Sequence, residues 1–106
     1  MNIIEIVDIN QWNQILASSN EQPIVVLKHS TTCPISAAAF REFASVELQT
    51  GYVVKVIEHR DVSNEIAKDL GVQHASPQVL VVSNGKATWQ ATHYKITASA
   101  LTQALA

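Results

Sequence analysis

Cys33 is the only cysteine among 106 residues, and it lies in Lys28-His29-Ser30-Thr31-Thr32-Cys33-Pro34-Ile35-Ser36, where an apolar run gives way to a helical pattern. Ile24 to Leu27 is rich in β-branched residues, whereas Ala37 to Phe43 carries strong helix formers at apolar spacing. Pro34 suits the first helical position because its missing N–H would be unpaired there, and its ring pushes the preceding residue into extended backbone. Cys33 is therefore expected to be the N-cap residue of a helix. A sulfur at that position faces the free N–H groups of Ile35 and Ser36 and the positive end of the helix dipole, a setting that suits a nucleophilic thiolate. Lys28 and His29 are expected to add positive potential, and Ser36 to reach back toward the sulfur as a hydroxyl donor, as the third helical residue does in a capping box. A C-x-x-S pair has no internal resolving sulfur, so whatever Cys33 attacks must be released by a thiol from outside the chain. The bland reading of a lone cysteine is an inert, buried small hydrophobe. The junction, Pro34 and the flanking hydroxyl residue Thr32 favour the reactive reading, although His29 by itself reads as a structural or surface residue rather than a base.

The elements that position such a thiol must fit one small domain, residues 1–106, since 47% hydrophobic and 15% charged residues describe a globular core rather than a disordered segment. A formal net charge of −2, with seven Lys plus Arg against nine Asp plus Glu and no basic run, lacks the electrostatic footprint of nucleic-acid binding. The start, Met1-Asn2-Ile3-Ile4-Glu5, has no basic region leading into a long apolar stretch, and no run approaches about 18 apolar residues, so no membrane association and a cytoplasmic location are expected. One cysteine cannot build a disulfide framework or, alone, a zinc site; no metal is expected, and a reducing compartment fits.

Taken in order, Ile3 to Val7 reads as an edge strand, followed by a helix with Trp12, Ile15 and Leu16 inward and Asp8 or Asn10 as its cap. Pro23 ends a polar loop, and Ile24 to Leu27 reads as a strand buried on both faces. The helix opened by Cys33 should turn Ala39, Phe40, Phe43, Ala44 and Val46 inward and end at Gly51. Tyr52 to Ile57 is the next strand, and Asp61, Ser63 or Asn64 should start a short helix ending near Leu70-Gly71. Gln78 to Val82 and Lys86 to Thr92 form an antiparallel hairpin through Asn84-Gly85, and Thr97 caps a last helix with an apolar stripe of Ala98, Leu101, Ala104 and Leu105. Trp12 and Trp89 read as packing residues.

A βαβαβαββα order with a cysteine opening the second helix, a proline opening the fourth strand and Asn-Gly between the last two strands resembles the thioredoxin fold over the whole chain: one α/β domain with a mixed central sheet flanked by helices. Leu70-Gly71-Val72, Ser76-Pro77 and Asn84-Gly85 keep thioredoxin-like spacing, while Cys33-Pro34-Ile35-Ser36 replaces the two-cysteine motif. KHSTTCPIS is similar to the site of monothiol bacilliredoxins of the YtxJ type. The resemblance implies thiol-disulfide exchange with bacillithiol as co-substrate and no tightly bound cofactor. Cys33 would be the nucleophile, S-bacillithiolated proteins the clients, and an external thiol the resolving partner. It also implies a cis Pro77 beside the cysteine, so that Ser76 and Pro77 would hold the client or the small thiol. His74 and His93 flank that region and read as surface residues. Ser30 stands where many monothiol glutaredoxins carry a glutathione-contacting lysine, their glycine pair after the proline-led strand is missing, and so is the Gly-containing motif of cluster-carrying glutaredoxins. The alternatives are a glutaredoxin-like enzyme using another small thiol and a non-catalytic thioredoxin-like binding module whose cysteine is only S-thiolated.

Overall fold

Alternation along one central strand organises the molecule. In the computed structural model, which describes residues 1–106, Ile24–His29 (β2) is buried along almost its whole length. Successive strand side chains point to opposite faces. Val25 and Leu27 accordingly join a core with Ala39 and Phe43 of helix α2 (Pro34–Ala44) and Leu101 of helix α4 (Ala98–Leu105). Ile24 and Val26 join the other core, with Trp12 and Ile15 of helix α1 (Ile9–Ser18) and Val62 and Ile66 of helix α3 (Arg60–Leu70). The indole N–H of Trp12 donates to Asp69 Oδ2 at 2.8 Å, tying α1 to α3.

Around β2 the sheet is completed by β1 (Asn2–Glu5), β3 (Thr50–Lys55), β4 (Gln78–Ser83) and β5 (Lys86–Thr92), in the order β1-β3-β2-β4-β5. β1 and β2 run parallel to β3, whereas β4 is antiparallel to both β2 and β5. The expected element order and mixed sheet are thus present. Lys28 pairs with Gln78, and Gln78 with Thr92, so the C-terminal ends of β2 and β5 and the start of β4 share one end of the sheet.

Local chemistry accounts for the boundaries. Asp8 caps α1, its carboxylate accepting from the Gln11 N–H at 2.7 Å, and Thr97 caps α4 through the Ala100 N–H at 3.1 Å. Asn84 (φ 52°) and Gly85 (φ 74°) both take the left-handed conformation that a tight two-residue hairpin turn requires. Other boundaries differ from expectation. β1 and β3 begin and end earlier in the sequence, and α3 starts at Arg60 with His59 as its N-cap, ahead of Asp61, Ser63 and Asn64. Gly51 does not end α2, which stops at Ala44 with Ser45 as C-cap. It lies in β3, where a Cβ would come within 2.6 Å of Phe43 Cζ and 2.5 Å of Met1 Sδ, so glycine serves close packing there. A 3-10 turn at His93–Lys95 follows β5.

Candidate active site

Beyond β2 the chain turns once before α2. The Cys33 N–H donates to Ser30 O at 3.3 Å, closing the Ser30–Cys33 turn, and Cys33 O accepts the first helical bond from Ala37 N–H at 3.0 Å. Cys33 is the N-cap, with extended backbone (φ −103°, ψ 123°), and Pro34 takes the first helical position. The thiol is half-buried and free, and it makes no capping hydrogen bond of its own. Thr32 and Pro34 are exposed and Ile35 is half-buried.

Ser36 does not reach back to the sulfur. Its hydroxyl is fully buried, accepts from the Ser30 N–H at 2.9 Å and lies 2.7 Å from His29 Nδ1. The hydroxyl thus joins the Ser30 backbone to the His29 ring in one buried contact. Burial, reinforced by the charge of Lys55, holds the His29 pKa below the ordinary histidine value and so favours the neutral ring. The imidazole also packs on Phe40, with ring centroids 5.1 Å apart. His29 and Ser36 therefore clamp the start of α2 to the end of β2, and burial disfavours the positive charge expected of His29.

Lys28 corrects a second expectation. By strand alternation it points to the α1/α3 face, opposite the face on which α2 packs, and its amine donates to Ser63 O at 3.0 Å. It is fully buried, and burial lowers its pKa from 10.5 to about 8. The electrostatic support assigned to it at Cys33 is not what the structure provides.

Ser76 and Pro77 precede β4 at the sheet end where Lys28 pairs with Gln78. Their peptide bond is cis, and Pro77 O accepts from the His93 N–H at 3.1 Å. Ser76 Oγ is the one buried side-chain polar atom without a hydrogen-bond partner. His74 and His93 are both exposed, the latter with φ 53°. Trp12 lies in one core and Trp89 packs against the other. No cluster of three His, Cys, Asp or Glu side chains has metal-ligand spacing. Sequence reasoning passed over Gln78, fully buried at the strand start and bonded to both neighbouring segments. Its signal was a polar residue inside an otherwise apolar run.

The family described as monothiol bacilliredoxin BrxC matches residues 4–101. The chain belongs to that family. Among solved structures, one described as a candidate oxidoreductase with a thioredoxin fold is 39% identical, with a TM-score of 0.87 over 96% of this chain and 92% of its own. Thioredoxin from Fasciola hepatica (12% identity, TM-score 0.71, 99% of this chain and 96% of its own) and chloroplastic thioredoxin z (16%, 0.73, 99% and 92%) share the fold. This bacilliredoxin-family chain is thus a thioredoxin-fold, monothiol redox protein. Its one sulfur is half-buried, and the chain has no second cysteine with which to close an internal disulfide.

Proposed function

We propose that the protein removes bacillithiol from mixed disulfides on client proteins, with Cys33 as the nucleophile. The carrying observation is the lone sulfur at the N-cap of α2 in a chain of the monothiol bacilliredoxin family. The Cys33 thiolate attacks the bacillithiol sulfur of the client disulfide. A Cys33–bacillithiol disulfide forms, the client sulfur–sulfur bond breaks, and the client cysteine leaves as a thiolate. An external thiolate then attacks the Cys33–bacillithiol disulfide, taking over bacillithiol as a new disulfide and returning Cys33 as a thiolate, so each step exchanges one disulfide for another with no net electron change. Thr32, Pro34 and Ile35 shape the approach to the sulfur, and Ser76 and Pro77 receive the client or small thiol, an assignment supported by the partnerless Ser76 hydroxyl. A cysteine that must be regenerated as a free thiol suits the cytoplasm.

The test is to incubate the protein with a bacillithiolated and a glutathionylated client in parallel and to follow intact mass. Transfer of bacillithiol to Cys33, with glutathione transfer slower, is expected. Preferential glutathione transfer would instead favour the glutaredoxin-like alternative, and transfer of neither the binding-module reading.

A further inference from the structure

Lys28 is the only charged side chain fully removed from solvent, yet the one ion pair of the molecule, Lys55 with Glu5, is elsewhere. An ammonium buried without a carboxylate costs several kcal/mol, and a methionine of similar length would avoid that cost. What an amine holds and a methyl cannot is His74, whose Nδ1 lies 3.0 Å from Nζ. His74 is an exposed residue of the irregular segment between α3 and β4. Gln78, the register partner of Lys28 on β4, is equally buried and grips the same segment. Its Oε1 accepts from the Ala75 N–H at 3.3 Å, and its Nε2 donates to Gln73 O at 3.2 Å and to Gln90 Oε1 at 2.6 Å. Gln73, His74 and Ala75 are thus each held by a polar side chain rooted in the sheet, and the next two residues are Ser76 and Pro77.

We propose that Lys28 and His74 form a latch that, together with Gln78, fixes the 73–76 backbone so that Ser76 is presented to the client disulfide; this rests on the exchange function proposed above. Lys28 is a positioning residue, acting through His74. The latch requires an unprotonated Nδ1 on His74, because the ammonium can only donate. The groups facing His74 are Lys28 from β2, the Ser63 hydroxyl at 3.4 Å from α3, and the Arg60 charge, also from α3. Burial and the two cations hold the His74 pKa below the ordinary histidine value, so the latch is closed at neutral pH and opens in acid as His74 takes a second proton.

Amide hydrogen exchange on the full chain tests this without relying on activity. Lys28→Met is expected to lower the protection factor of the Ala75 N–H, the amide of this segment that donates a hydrogen bond, about tenfold at pH 7.5, the equivalent of one lost hydrogen bond to a charged group, while leaving those of β2 and β3 unchanged. His74→Ala, at an exposed position, should reproduce the loss and keeps the test open if Lys28→Met fails to fold. Wild type should lose the same protection as the pH falls from 7.5 to 4.5, whereas His74→Gln, whose amide oxygen is a neutral acceptor, should keep it. In the exchange assay Lys28→Met should raise KM for the client with kcat little changed. Unaltered protection of the Ala75 N–H in Lys28→Met and His74→Ala would overturn the latch. If protection shifts as described while wild type transfers no small thiol, the latch stands and the exchange function falls.

Discussion

Replacing Lys28 with methionine should make stability respond to pH in a way that inverts the usual expectation for losing a buried polar contact. Burial lowers the pKa of this ammonium from 10.5 to about 8. Below pH 8 the native protein therefore carries the full cost of a buried charge. Between pH 8 and 10.5 the unfolded chain keeps a proton that the native state has released, so stability rises with pH through that window. The complete shift corresponds to about 3 kcal/mol, and because the adjoining His74 is exposed, solvent screening trims it to roughly 2 kcal/mol. Against this stand the two hydrogen bonds to Ser63 O and His74 Nδ1, worth about 1 kcal/mol each. At pH 7 the terms nearly cancel, so Lys28→Met should match wild type within about 1 kcal/mol; by pH 10.5 wild type should be the more stable by roughly 2 kcal/mol. Urea denaturation of both proteins at pH 7, 8.5 and 10.5, under reductant to protect Cys33, gives the difference directly, since every other titrating group is common to both. A wild-type-minus-variant difference that stays constant across the three pH values would refute the reasoning.

Cys33→Ser should abolish transfer of bacillithiol while leaving circular dichroism and thermal midpoint near wild type, since the hydroxyl can cap α2 but is a poor nucleophile at neutral pH; retained transfer would remove the nucleophile assignment. Ser36→Cys places a second sulfur one helical turn after Cys33 and should let the protein eject bacillithiol unaided as an internal disulfide forms, read by intact mass as replacement of the adduct in one step by a species two hydrogens lighter than the reduced protein. It should also cost about 1–3 kcal/mol in a denaturant titration, because the His29 and Ser30 contacts of the buried hydroxyl are lost. Gly51→Ala should destabilise by roughly 1–3 kcal/mol, because its Cβ would meet the ring of Phe43, and an unchanged denaturation midpoint would show that the ring yields freely.

The fold was legible because its punctuation is local. Asp8, Pro34, Gly71, Asn84-Gly85 and Thr97 each fix a helix end or a turn through their own backbone chemistry, and the structure places them at those boundaries. Gly51 misled because the same residue type that ends helices also permits close approach inside a strand, and only the position of Phe43 distinguishes the two. At the candidate site, the N-cap placement of Cys33 follows from Pro34 alone. The directions of Lys28 and Ser36 do not, because they depend on strand parity and on a histidine seven residues before Ser36. A lysine after four apolar strand residues carried the signal, but charge near a cysteine was read by sequence distance when the face of the sheet decides it.

The sheet order also bears on how the molecule assembles. β1, β2 and β3 lie within residues 2–55 and β4 and β5 within residues 78–92, and the β2–β4 ladder is the only strand pairing that joins them. That seam brings Lys28 against Gln78 across a long stretch of intervening sequence, whereas β4 and β5 close through a two-residue turn. Loop-closure entropy therefore favours early formation of the hairpin and late closing of the seam. Cys33 and the Ser76–Pro77 segment flank this seam, so a nascent or partly folded chain exposes its thiol before the surface that would select a client exists.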